Sequence, residues 1–155
     1  MKSGKTAPRG PRVENPVGPE AEQIRRRPGD KDRSLMRPRE LVVAWVEAFN
    51  RGDPDEMATF YAERAVNHQV VREPVERRAA IREMFAKDFA SAKMVCIAEH
   101  IFEDGPWAIL EWKDPVGLRG CGFFRVENDK IVFQRGYWDR LSFVRAHGLP
   151  LDETA

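Results

Sequence analysis

From Pro38 onward the chain carries a helical period. Leu41, Val42, Trp45, Val46 and Phe49 recur at i, i+1, i+4, i+5 and i+8, which predicts an amphipathic helix with one apolar face. Pro38 suits its first turn, where the missing N–H leaves no bond unmade, and Gly52 can supply a left-handed stop. Asp53-Pro54-Asp55-Glu56 reads as a second helix start. Asp53 is its N-cap, Pro54 its first residue, and Glu56 is placed to close a capping box. Met57, Phe60 and Tyr61 are its predicted buried side. A third helix is predicted over about residues 77–89, with Ile81, Met84, Phe85 and Phe89 on one face.

Elsewhere the period is two. Strands are predicted at residues 65–71, 93–103, 107–114, 120–127 and 130–138, with Asp104-Gly105 and Asn128-Asp129 as turns. An Asn-Asp pair tolerates the positive φ values that tight hairpins need. Hairpin-like connections in a row imply an antiparallel sheet, not a stack of parallel crossovers. Residues 140–147 end the pattern as a short helical turn, stopped by Gly148 and Pro150. The class is α+β, and no internal repeat is visible.

Residues 1–36 follow neither period. Pro8, Pro11, Pro16, Pro19 and Pro28 alternate there with glycines and charges. Such a segment buries too little apolar surface to offset the entropy of ordering, so a disordered tail is expected. Arg25-Arg26-Arg27 reads as part of a solvated tail. Met36 directly precedes the periodic region and is a candidate alternative start. Acidic residues interrupt the basic pattern of a transit peptide, and no apolar stretch of a secretory signal is seen. The domain is expected over residues 37–150, with 151–155 as a short second tail.

Charge removes several partners. The net charge of +1 gives no global attraction to nucleic acid or to membrane surfaces, and no apolar run is long enough to span a bilayer. The cysteines, Cys96 and Cys121, sit in apolar strand-like segments. That predicts reduced thiols and a cytoplasmic protein.

The order helix, helix, short strand, helix, four-strand meander is similar to the NTF2-like fold. The phrases Ala48-Phe49-Asn50-Arg51-Gly52-Asp53 and Gly136-Tyr137-Trp138-Asp139 resemble its SnoaL-like branch, over about residues 38–150. The resemblance implies an NTF2-like cone, three N-terminal helices packed on a strongly curved antiparallel sheet. It also implies a pocket for a small apolar or amphipathic molecule, polyketide-like or terpenoid-like, and a homodimer through the outer sheet face. No cofactor is expected. Metal-ligand spacing, phosphate loops and nucleophile elbows are not seen in the sequence.

The chain also departs from a catalytic pattern of that neighbourhood, the Asp–Arg–Asp arrangement of limonene-epoxide hydrolase. Asp114 matches one carboxylate, but Trp112 stands at the Arg position and Gly136 at the second Asp. Asn67 and Gln69 fall at the Tyr and Asn positions. A lone carboxylate does not both activate water and protonate a leaving oxygen, so epoxide hydrolysis of that type is rejected. Alternation places Leu110, Trp112 and Asp114 on one face. If that face lines the pocket, Asp114 is a candidate acid or base, because apolar surroundings favour a carboxyl's neutral form. Standing before Pro115, it equally reads as a turn residue that accepts backbone hydrogen bonds. Asn67 and Gln69 are candidate ligand-orienting amides, with His68 opposite them. Gln134, Gly136 and Trp138 share a face of the last strand, as do Gly120, Gly122 and Phe124 on its neighbour. Those glycines either curve the sheet or leave space, with Trp112 and Trp138 as aromatic walls. The opposite faces, with Arg119, Cys121, Phe123, Arg125, Arg135, Tyr137 and Asp139, have interface composition. Two functions stay open: a small-molecule pocket using Asp114, or a non-catalytic association module.

Overall fold

The computed structural model describes residues 35–150. The tail predicted over residues 1–36 lies outside them apart from Leu35 and Met36, as does the tail at 151–155. The elements are α1 (Pro38–Arg51), α2 (Pro54–Thr59), β1 (Tyr61–Gln69), β2 (Val75–Glu76), α3 (Arg78–Ser91), β3 (Ile97–Asp104), β4 (Trp107–Lys113), β5 (Arg119–Glu127), β6 (Lys130–Trp138) and α4 (Arg140–Ala146).

The six strands form one sheet in the order β2-β1-β6-β5-β4-β3. After β1 the chain crosses through α3 to the far edge and returns as the meander β3 to β6. That route leaves β6 parallel to β1, while every other pairing is antiparallel. Register shifts in three of the pairings mark bulges, which bend a sheet. The Asn128-Asp129 turn has φ of 49° and 61°, the positive pair its hairpin requires. Among the described residues no helix is long and apolar enough to cross a membrane.

Helix starts follow the sequence, with one difference. Pro38 is the first residue of α1, and Gly52 closes it at φ 71°. Asp53 caps α2 by accepting from the Asp55 and Glu56 backbone N–H groups. Glu56 does not close a capping box. Its carboxylate takes the Arg51 guanidinium instead, at 3.0 and 2.5 Å, because a charge-assisted fork outcompetes one neutral N–H.

Two boundaries move for identifiable reasons. Tyr61, expected on the buried side of α2, opens β1, since the Ile131 N–H bonds the Phe60 carbonyl and draws the segment onto β6. The strand expected from residue 93 starts at Ile97. Asn50 holds the Cys96 backbone at both ends, donating to its carbonyl at 2.9 Å and accepting from its N–H at 2.7 Å. Cys96 is thereby tied to the end of α1 and not to a neighbouring strand.

The core lies between the helices and the concave sheet face. Trp45 stacks on Phe49 at 5.2 Å and meets Phe124 and Phe85 edge-on. Val42, Met57, Ile81, Leu110 and Ile131 fill around them, all fully or almost fully buried. Glu103 of β3 fastens the start of α1, accepting from the Arg39 N–H at 2.9 Å and from Arg37 at 2.9 and 3.1 Å. The Arg39 N–H, followed by the Arg37 guanidinium, holds the Glu103 carboxyl below the usual carboxylate range.

Candidate functional site

The cone is not filled. It holds a cavity of about 120 Å³, open at one side, whose lining is mostly apolar. Trp45, Phe49, Met84, Phe85, Leu110 and Phe124 form its floor, and Met94, Val95 and Cys96 close one side. An apolar cavity of ~150 Å³ accommodates benzene, so this space accepts a molecule on the order of one ring. Burial pushes the Cys96 thiol up to about 12, so it remains a neutral, apolar part of the wall.

Asp114 stands on the wall where β4 ends, and its two oxygens do different things. Oδ1 accepts from the backbone N–H groups of Val116 and Leu118 at 3.0 and 2.8 Å. The Leu118 carbonyl accepts from the Asp114 N–H at 2.9 Å, so the turn is closed on both sides. Oδ2 lies 3.3 Å from Nε2 of His147. The carboxylate is 6% exposed and lines the cavity together with His147. One oxygen of Asp114 thus closes the turn, and the other faces His147.

His147 was not among the sequence-derived candidates. It is 33 residues from Asp114, and no local spacing links them. Asp139 makes the connection: it caps α4 by accepting from the Leu141 and Ser142 N–H groups. The helix then lays Phe143 edge-on to Trp138 at 5.4 Å and brings His147 over Asp114. A capping Asp directly after β6 was the available signal.

The amide candidates form one buried chain. Trp138 Nε1 donates to Gln69 Oε1 at 3.0 Å, and Gln69 Nε2 to Asn67 Oδ1 at 2.8 Å. Asn67 Nδ2 donates to Gln134 Oε1 at 3.1 Å and reaches the Tyr61 hydroxyl at 3.4 Å. Tyr61 accepts from Trp45 Nε1 at 3.0 Å and donates to Gln134 Oε1. Burial drives the Tyr61 phenol well above its ordinary range, so it keeps its proton. Asn67 was expected on the pocket wall, but it is fully buried and does not line the cavity. Its polar atoms are occupied in aligning Gln69 and Gln134.

Gln69, Trp112, Gln134, Gly136 and Trp138 do line the cavity. The space above the inward glycines is used by side chains of the protein itself. A Cβ on Gly136 would overlap the Gln69 amide. A Cβ on Gly120 would come within 2.5 Å of the Trp112 ring. The glycines thus seat one amide and one indole, and the open space lies beyond them. At the mouth, Arg72 and Asp88 pair through two bonds of 3.0 and 2.6 Å.

Comparison with known proteins gives the same fold. The model of the SnoaL-like domain family matches residues 42–134. A hypothetical protein with a ketosteroid isomerase-like fold from Catenulispora acidiphila, solved with trimethylamine, superposes with a TM-score of 0.67 at 19% identity. That match covers 77% of this chain and all of the other. A candidate polyketide cyclase of Xanthomonas campestris superposes at 0.61 and 24% identity, covering 68% of this chain and 93% of its own. SalBIII, an epoxide hydrolase/cyclase-like enzyme of pyran ring formation in the polyether salinomycin, superposes at 0.58 and 22%, covering 66% and 90%. At these identities the likeness establishes the fold alone. No curated protein matches the sequence.

Proposed function

The chain belongs to the SnoaL-like domain family, and on that footing we propose that its cone binds a small, largely apolar molecule and acts on it by proton transfer at Asp114. The observation that carries this is the division of labour within Asp114. Oδ1 is tied to two backbone N–H groups, while Oδ2 shares the cavity wall with His147 Nε2. An acid–base reaction needs a group that accepts a proton and one that returns it, both within reach of the ligand. A carboxylate beside an imidazole can supply both: Asp114 Oδ2 takes a proton from the ligand and passes it to His147 Nε2, 3.3 Å away, which returns it. Trp112, Trp138, Gln69, Gln134 and Gly136 are the proposed ligand contacts, with Asn67 holding the amides in place. The similar solved structures described as an epoxide hydrolase/cyclase-like enzyme and a candidate polyketide cyclase support oxygenated, ring-forming molecules as the first compounds to try.

A metabolite library screened by thermal shift tests the reading, since a ligand of the folded state raises stability. Compounds of about one ring should raise the melting temperature of wild type and of Asp114→Asn alike, with only wild type converting them. Conversion by Asp114→Asn at the wild-type rate would remove Asp114 from the chemistry.

The outer sheet face favours an association function alongside. Trp107 meets Phe133 and Phe123 meets Tyr137 edge-on at 6.1 and 5.9 Å, and the Arg135 guanidinium lies 5.0 Å over the Phe133 ring. Aromatics and arginines so mixed are typical of interface cores, which supports the proposed homodimer through this face. The free thiols of Cys96 and Cys121 support a reducing, cytoplasmic setting.

A further inference from the structure

The buried amide chain has a direction, and the two indoles at its ends set it. An indole N–H only donates. Trp138 therefore faces the oxygen of Gln69, which turns the Gln69 NH₂ toward Asn67 Oδ1. Asn67 must then present its own NH₂ to Gln134 Oε1. From the other end Trp45 donates to the Tyr61 hydroxyl, so the phenol hydrogen also goes to Gln134 Oε1. Both ends deliver hydrogens to one oxygen. Turning the Gln134 amide over would set its NH₂ against two donors.

The bonds to Gln134 among the described residues go to Oε1; Nε2 is not one of their enclosed unpartnered atoms, so it keeps open area, and Gln134 lines the cavity. We infer that Gln134 Nε2 is a fixed hydrogen-bond donor to the ligand, and that the cavity selects small, otherwise apolar molecules bearing an oxygen acceptor such as a ketone carbonyl. This rests on the proposal that the cavity binds a small molecule, and it adds what that molecule must carry. A ligand with an acceptor gains this bond, and one of equal shape without an acceptor forfeits it. Gln134 is a specificity-determining residue on this account, distinct from the acid–base pair.

Cyclohexanone and cyclohexane, equal in ring size, are the probes. In wild type both should shift the Leu110 methyl and Trp112 indole resonances. Only the ketone should move the side-chain NH₂ resonances of Gln134 in ¹⁵N-glutamine-labelled protein. In Gln134→Met the ketone should bind about ten-fold more weakly, the fold-change of one hydrogen bond, with cyclohexane affinity held within two-fold. The labelled wild-type measurement stands even if that variant fails to fold. Entry of both rings without a ketone-specific shift at Gln134 would overturn the inference and leave the pocket reading intact. Entry of neither ring would overturn both.

Discussion

Two polar assemblies share this cavity, and they are built on opposite principles. In the buried chain from Trp138 through Gln69, Asn67, Gln134 and Tyr61 to Trp45, each link is held by a neighbour and the orientations are fixed. At the end of β4, Asp114 keeps one oxygen for the fold and offers the other to His147. A network whose members fix one another's orientation rigidifies a core, whereas a carboxylate bonded to the fold through only one oxygen can change its bonding when a ligand arrives. On the proposed reading the first positions the ligand, through Gln134 Nε2, and the second transfers the proton.

The strongest way to break that contrast is to open the chain beside its Trp45 end. Tyr61→Phe removes a hydroxyl with three partners and leaves the Trp45 N–H unmet in the core. Denaturant unfolding should show a loss of about 3 kcal/mol, the upper range for an orphaned buried donor. A loss below ~0.5 kcal/mol, the net worth of an ordinary exposed substitution, would mean that the chain does not order the core.

Asp114 lets the fold be tested apart from the proposed chemistry in one residue. Asp114→Ala strands the Val116 and Leu118 N–H groups, at a cost of about 2 kcal/mol. Asp114→Asn retains an oxygen for them and should cost less than ~1 kcal/mol on the same grounds. Equal costs for the two variants would place the stabilising role with Oδ2 and His147.

Gly136→Ala tests the glycine seat. The added methyl pushes the flexible end of Gln69 away from Trp138 Nε1, for about 1 kcal/mol of overpacking. The indole N–H should then exchange faster with solvent. Unchanged protection there would show that Gln69 does not need the seat.

The smallest effect is at the start of α1, remote from the cavity. The Glu103 carboxyl is held below its ordinary range, so its contribution is complete above that range and is lost as pH falls through the lowered value. Amide exchange in the first turn of α1 should quicken relative to the rest of the helix in mild acid. Glu103→Gln should flatten that dependence. A pH response identical in the variant would assign it to another carboxylate.

The sequence made the helices, the meander and the inward face of β4 legible, because period and caps are local. Leu110, Trp112 and Asp114 share a face for that reason alone. The start of β1 at Tyr61 and of β3 at Ile97 depended on partners far along the chain, Ile131 and Asn50, which no window contains. His147 meets Asp114 across 33 residues, outside any window, for the same reason. Asn67 and Gln69 read alike as alternate polar residues on one strand. Only the positions of Tyr61 and Gln134 decide that Asn67 is enclosed while Gln69 reaches the cavity.

The central claim is that the cavity is the ligand site, and narrowing it is the most direct test. Cys96 lines the cavity while Asn50 holds its backbone at both ends, so Cys96→Met places extra bulk in the cavity without asking the chain to move. Titration calorimetry of a stabilising compound against both proteins is the measurement. The account predicts at least about a ten-fold loss of affinity in Cys96→Met, the tenfold that ~1.4 kcal/mol of lost contact corresponds to. Undiminished affinity in a folded Cys96→Met protein would place the ligand elsewhere and contradict the account.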